Sequence, residues 1–570
     1  MEDRWNGEAP GDAWGVAVTA DRSRALVSSA WSRKVSAVDL KELAKGDEIA
    51  PAWTVTTPRE PRGIVIQGKG DTAYVTHLTS ADLTRIDGAM TKAPTTSRVE
   101  LPAAPLRAPS GRKIAASLGY AAALSPDGDR LFAARHALGA LGREAWFGAS
   151  SVDVLLTTND AALAPAHVGN GAVYRSALAK EVESPDTKAN LPAEVVAPFT
   201  QPRDIRYRPS ARTVLVIGEG DGKLCEMDAL AIDPTLAVVA TYTLAKDRDP
   251  HIGVPGSCGA PAGVALSADE TTAYVFCRST YDLAVVPLVA AASVGQGAPK
   301  PSGDVVTTRL ATDPLGDDVA NGRRIFYDSV DPIASGGLAC AGCHPDGRDD
   351  GFTWHEAKFD TADGGTRANF VGSPEQVPDL AKSKGLPRQT PMLAARVDAQ
   401  GPYGWLGESQ TLPDRIGASF GLHRWGGLPN HASENVAARA GYLIPFLRRG
   451  LVPPALESRE PSESEQRGKA IFESPQTACV GCHLPANGLT DRVSYPLRQL
   501  PTRPTYDEDP KGSEWKTPSL RFIGGTEPYL HDGSAPTLEQ LIDNNGDRMG
   551  KTHQLSAAQR ADLVAYLRTL

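Results

Sequence analysis

The sequence predicts an all-β first half followed by two small, mainly α-helical domains. Three observations carry that prediction. Short strands separated by Asp/Gly turns recur through roughly the first 310 of 570 residues. One signature then appears twice, as Cys340-Ala341-Gly342-Cys343-His344 and Cys479-Val480-Gly481-Cys482-His483. Ahead of each copy lies a helical pattern in which a glycine precedes a phenylalanine by four residues, Gly322/Phe326 and Gly468/Phe472. The expected division is a β domain over 1–312, a first helical domain over 313–455 and a second over 456–570.

In the β half, one unit runs from Trp14-Gly15-Val16-Ala17-Val18 through a turn at Asp21 to Ala25-Leu26-Val27 and Val35-Ser36-Ala37-Val38-Asp39. Others begin at Pro61-Arg62-Gly63-Ile64-Val65, Tyr120-Ala121-Ala122, Pro202-Arg203-Asp204-Ile205 and Pro261-Ala262-Gly263-Val264. The clearest turn is Ser125-Pro126-Asp127-Gly128. The period is roughly 45 to 60 residues, the range of stacked blades and solenoids, and the turn-punctuated short strands favour a β-propeller. Over about residues 13–290 the pattern resembles YVTN-type bacterial β-propellers. Five blades are clear where such propellers usually have seven. The long gap over 140–200 is expected to hide one more, and Val305-Val306-Thr307-Thr308 to supply a closing strand. His77, His136, His167 and His251 are scattered, as surface or core histidines are.

Composition narrows the function. Hydrophobic residues make up 41% and charged residues 22%, the balance of an ordinary globular protein. A net charge of -9 argues against nucleic-acid binding and suits a basic redox partner. No apolar run approaches a membrane span. The chain opens Met1-Glu2-Asp3-Arg4 without an apolar leader. Because bacterial c-type haem is attached outside the cytoplasm, a periplasmic or extracellular protein with its leader removed is expected. Four of seven cysteines lie in the repeated signature. Of the other three, Cys258 precedes one predicted strand and Cys277 ends the next; antiparallel pairing would join them, with Cys225 left a thiol.

C-x-x-C-H is the pattern for covalent haem attachment. Two thiols add across the haem vinyl groups and the adjacent histidine reaches iron. Two covalent haems are therefore expected, held by Cys340, Cys343 and His344 and by Cys479, Cys482 and His483. A structural zinc site is the alternative, but zinc does not require a histidine directly after both pairs. A redox dithiol would need a thioredoxin-like strand before the pair. The glycine of each preceding helix resembles the small residue that lets the first and last helices of a class I cytochrome c cross closely. The expected last helices are Ser556 to Leu567, with a serine cap, and the run Asn435 to Leu443.

Toward the C-terminus, Lys516-Thr517-Pro518-Ser519-Leu520-Arg521 and Pro528-Tyr529-Leu530-His531-Asp532-Gly533-Ser534 resemble the bacterial di-haem cytochrome c peroxidase family, which includes MauG-like enzymes. Arg388-Gln389-Thr390-Pro391 and Pro402-Tyr403-Gly404-Trp405-Leu406-Gly407-Glu408 are a degenerate copy after the first signature. The resemblance covers about 316–570 and implies unequal haems. His483 would be proximal on an electron-transfer haem, with Met549 as its sixth ligand. His344 would be proximal on the haem that meets peroxide, with His355, or more weakly His423, as a displaceable ligand. Trp405 matches the inter-haem tryptophan. An ungapped count puts Arg415 and Trp425 where the family has its glutamine and glutamate, leaving Glu408 or Glu434 as the acid–base group. The family also binds calcium between its domains with help from an asparagine; Phe522 stands there, and calcium stays an expectation.

The resemblance thus implies a peroxide-dependent di-haem oxidoreductase. Its partner would be a small cytochrome, a cupredoxin or a protein whose side chain is oxidised, and the propeller would dock it. The alternatives are a non-enzymic di-haem electron carrier and an oxygenase-like enzyme acting on an organic substrate.

Overall fold

The computed structural model describes residues 9–43, 50–68, 71–102, 104–107, 113–114, 116–139, 147–163, 199–248, 253–297, 299–331, 333–334, 338–356, 359–360, 366–367, 385–397, 400–422, 433–497 and 503–570. The first half forms five four-stranded antiparallel sheets, each in simple sequential order. Their first strands are Ala13–Val18, Pro61–Ile66, Ala116–Leu124, Pro202–Arg208 and Pro261–Leu266. These match the five units read from sequence. The expected closing strand is present as Val306–Arg309, the fourth strand of the fifth sheet. Most of the 140–200 gap lies outside the described residues.

The repeated turn has a repeated cause. Thr19 Oγ1 donates to Asp21 at 2.7 Å, Ser125 Oγ donates to Asp127, and Ser267 Oγ donates to Asp269 at 2.6 Å. Each aspartate also accepts the backbone N–H two residues on, at 3.0 Å from Ser23, 3.1 Å from Asp129 and 3.2 Å from Thr271. This side-chain turn replaces ladder bonds the chain must give up when it reverses. Strand alternation then buries one apolar set between consecutive sheets. Leu26, Val35 and Ile86 meet between the first two sheets, Tyr74, Leu131 and Leu155 between the second and third, Phe132 and Val214 between the third and fourth, and Leu215 and Val275 between the fourth and fifth. The molecule is a propeller-like stack of sheets joined by face-to-face cores. Cys258 and Cys277 are bonded as a disulfide, while Cys225 is a buried thiol pushed up to about 12 by desolvation.

Behind the sheets, two helix pairs repeat one device. The helix Asp317–Tyr327 crosses Ser433–Arg449, and Glu463–Glu473 crosses Ala557–Leu567. A Cβ at Gly322 would sit 2.1 Å from the Tyr442 carbonyl, and one at Gly468 would sit 1.9 Å from the Asp562 carbonyl. Only glycine permits either backbone approach. The phenylalanines four residues on complete each crossing: Phe326 lies 5.2 Å from Phe446 and Phe472 lies 5.4 Å from Tyr566, ring to ring. Both later helices of the second pair region start on serine capping boxes, Ser462 with Glu465 and Ser556 with Gln559. No helix among the described residues is long and apolar enough to cross a membrane.

Candidate haem sites

The second Cys-x-x-Cys-His segment opens onto an apolar cavity of about 460 Å³. Cys479, Cys482, His483 and Met549 all line it, with Phe472, Leu520, Leu541, Leu563 and Leu567 among the apolar walls. His483 Nδ1 lies 3.0 Å from the Leu489 carbonyl and donates to it in the neutral tautomer that leaves Nε2 as the lone-pair nitrogen. Burial lowers the His483 pKa, which keeps that lone pair available. Met549 is set by its loop. Asn545 Oδ1 accepts the Met549 N–H at 3.0 Å, and Asn545 Nδ2 donates to the carbonyls of Met549 and Gly550 at 3.2 and 3.1 Å. Gly550 has φ +73, and a Cβ there would lie 3.2 Å from Cys479 Sγ. The methionine loop therefore closes directly over the first thiol. Two thiols, an imidazole and a thioether around one apolar cavity form a donor set that fits a covalently bound haem.

The first segment is built differently. Cys340–Cys343 is one short helical turn, with the His344 N–H bonded to the Cys340 carbonyl at 2.8 Å. Desolvation lowers the His344 pKa to about 4, so its imidazole is neutral at neutral pH. Cys343 packs against a buried cluster of Leu78, Leu118, Tyr120 and Leu138 from the sheets together with Leu338 and Trp354. Cys340 packs against a different apolar cluster, and two thiols set in apolar surroundings next to a buried neutral imidazole again fit a haem. Among the described residues no group of three or more His, Cys, Asp or Glu is placed to hold a metal ion by itself, and the two cysteine pairs pack against different hydrophobic clusters.

The other expected site residues divide. Trp405 lines the same cavity as His483 and Met549, and its Nε1 donates to the Gln389 carbonyl at 2.9 Å. It thus joins the strand Leu386–Gln389 of the first helical domain to the wall of the second site. His355 lies on the strand Thr353–Glu356, paired with Leu386–Gln389, and stacks on Tyr506 with ring centroids 4.1 Å apart. Alternation places it on the opposite face from Trp354, which packs beside Cys343. Glu408 is ion-paired to Arg415 at 2.7 Å and accepts the Leu406 N–H at 3.0 Å. His423 and Trp425 lie outside the described residues, and Glu434 falls in the first turn of Ser433–Arg449.

Sequence reading missed a chain of groups between the two segments. Glu356 is 3% exposed and pairs with Arg388 at 3.0 Å; burial raises its pKa to about 7. Arg388 bonds Asp509 at 2.7 Å and lies over the Trp515 ring, 5.4 Å from its centroid. Trp515 stacks on His531 at 3.5 Å, and His531 Nε2 is 3.1 Å from Asp509. Trp405 lies edge-on to His531 at 6.5 Å. His531 was visible only as part of a motif, and nothing local marks Trp515 as its stacking partner.

Residues 465–570 match the Cytochrome c family. Over 147 aligned residues the chain is 29% identical to hydrazine synthase subunit gamma of Kuenenia stuttgartiensis, covering 19% of this chain and 41% of that one. It is 31% identical over 121 residues to the cytochrome c551 peroxidase of Nitrosomonas europaea (19% and 34%), and 30% identical over 128 residues to the methylamine utilization protein MauG of Methylophilus methylotrophus (19% and 37%). The chain spans well under half the length of these curated relatives. Among solved structures, a MauG-like protein associated with microbial copper homeostasis aligns at 21% identity and TM-score 0.31, covering 45% of this chain and 90% of that one. A streptogramin B lyase aligns at 11% identity and TM-score 0.30, covering 55% and 74%. The chain therefore carries a C-terminal cytochrome c domain, with relatives among the MauG and cytochrome c peroxidase proteins over its C-terminal part, behind a β-propeller half.

Proposed function

We propose that the chain is a di-haem c-type oxidoreductase acting outside the cytoplasm, with peroxide as its oxidant. The observation that carries this reading is the shared cavity: His483 and Met549 face one apolar space whose wall contains Cys479 and Cys482. Haem c bound at such sites supplies one-electron chemistry and, where an axial position is open, reaction with peroxide. His344 and His483 are the imidazoles we assign to the two irons, and Met549 the soft second donor at the C-terminal site. Asn545 holds that donor in place, and Gly550 lets its loop pass over Cys479.

Between the two segments, Trp405, His531 and Trp515 form a contiguous aromatic array from the Leu386–Gln389 strand to the cavity wall. We assign this array to electron passage. On the first side, Arg415 pairs with Glu408 and lies within electrostatic reach of both His344 and Glu356. Reducing peroxide to two waters consumes two electrons and two protons. Glu408, ion-paired to Arg415, is the carboxylate we assign as acid–base group there, and His355, stacked on Tyr506, remains the displaceable imidazole of this proposal. The electron donor is a small cytochrome, a cupredoxin or an oxidisable side chain of a partner protein. Calcium between the domains remains part of this proposal.

One observation favours the second reading, a carrier without enzymatic activity: a cationic Arg415 stands where the family count places a neutral amide. The test is direct. Pyridine haemochrome should return two haems per chain, and half-reduced protein should react with peroxide. Trp405→Phe should slow electron passage between the sites while both haems stay attached. Two haems without any peroxide reaction would leave the carrier; fewer than two would end both readings.

A further inference from the structure

We propose that the propeller half is a structural component of the first haem site: it clasps the segment directly after His344 and walls the space beside Cys343. This rests on the reading of His344 as a haem residue.

The clasp is made of charged residues from four of the five sheets. Asp346, two residues after His344, accepts from Arg203 Nη2 at 2.8 Å and from Arg278 Nη1 at 2.7 Å. Arg278 is further held by Glu219 at 2.6 Å and lies over the Tyr327 ring, 4.0 Å from its centroid. Arg348 donates to Glu60 at 2.7 and 2.9 Å and to Asp12 at 2.5 Å. Asp349 accepts from Arg59 at 2.6 Å. Three of the four residues 346–349 are thus tied to the sheets by charge-assisted bonds, the strong class of hydrogen bond. Just before the signature, Gln201 Nε2 donates to the Leu338 carbonyl at 2.5 Å. A Cβ at Gly342, inside the signature, would lie 3.1 Å from that same amide nitrogen.

The sheets are shaped to present these groups. Asp12, Glu60, Gln201 and Ala260 each precede the first strand of a sheet, and all four have positive φ, between 49° and 66°. Asp12 and Glu60 offer their own carboxylates from such positions, and Arg203 lies two residues after Gln201. Apolar contacts complete the wall: Leu118, Tyr120 and Leu138 pack with Leu338 and Trp354 beside Cys343. Asp350 fixes Trp354 from behind, accepting its Nε1 at 2.9 Å. The cavity beside the second Cys-x-x-Cys-His segment is lined instead by residues between Gln389 and Leu567.

Asp346, Arg203 and Arg278 are therefore positioning residues for His344. In full-length protein, Asp346→Asn should raise amide exchange over residues 345–356 at least tenfold. It should also shift the EPR signal and midpoint potential of the first haem and leave those of the second unchanged. Asp346→Glu, which keeps the charge, should recover part of the wild-type signal. Exchange and first-haem signals equal to wild type would overturn the inference, as would equal changes at both haems, which mark a global loss of stability. Should Asp346→Asn fail to fold, Arg203→Lys reads the same clasp with its charge retained. Mass spectrometry of the peptides bearing 340–344 and 479–483 separates the two hypotheses. A wild-type 340–344 peptide without haem defeats the haem reading, and the exchange measurement then judges the clasp alone.

Discussion

The two helical domains share one packing frame and treat their Cys-x-x-Cys-His segments in opposite ways. Each has a glycine-mediated helix crossing followed by an aromatic contact. Yet the second segment borders an apolar cavity closed by its own domain's methionine loop. The first is enclosed by another domain, through Leu118, Tyr120 and Leu138 and through the ion pairs on Asp346, Arg348 and Asp349. A duplicated frame thus supplies two similar scaffolds, and the neighbours decide what each presents. The covered sheet ends also narrow the docking role expected from the sequence: a partner using the propeller would have to engage surfaces other than those that meet residues 346–349.

The most severe way to break the comparison is to break the shared frame. Gly468→Val places a side chain where the Asp562 carbonyl already lies 1.9 Å from a Cβ position. Overpacking of this kind costs about 3 kcal/mol. Gly322→Val should cost a similar amount for the same reason, since its Cβ position is 2.1 Å from the Tyr442 carbonyl. Urea unfolding of each variant measures both. A loss at one glycine and none at the other would show that the two frames are not equivalent.

A smaller, local effect sharpens the difference between the sites. Met549→Ala should lower the potential of the C-terminal haem only and remove its methionine–iron charge-transfer band. Asn545→Ala should act in the same direction with smaller amplitude, because it releases the loop and keeps the thioether. A spectrum unchanged by Met549→Ala would remove Met549 from the site.

The smallest expected effect, taken per pH unit, is a pH dependence to which two buried carboxylates of the first helical region contribute. Burial raises Asp350 and Glu356 to about 7 in the folded chain. Unfolded, both titrate near 4. Between those values the folded state holds protons that the unfolded state has released. Stability should therefore fall as pH rises from about 4 to about 7, by at most about 1.4 kcal/mol per pH unit for each group. Asp350→Asn should flatten that slope in equilibrium unfolding measured from pH 4.5 to 7.5. A slope that Asp350→Asn leaves untouched would assign the dependence elsewhere.

Much of this organisation was legible in the chain itself. The Asp-centred turns, the five strand units, the two Cys-x-x-Cys-His segments and the glycines four residues before Phe326 and Phe472 all rest on short-range rules. So does the Cys258–Cys277 pairing, which follows from two adjacent antiparallel strand ends. Such features depend on residues within one turn, one hairpin or one helix crossing, and local chemistry specifies them. The clasp on Asp346 did not show. The recurrent Pro-Arg at 61–62 and 202–203 was visible as a strand start, but nothing in its spacing says that an arginine will meet an aspartate 143 residues away. The same holds for Glu356 with Arg388, for Trp515 with His531, and for the face of its strand on which His355 falls. These depend on which surfaces dry out against one another when domains pack. Burial of a charge, and the partner that makes burial tolerable, is a property of the assembled fold.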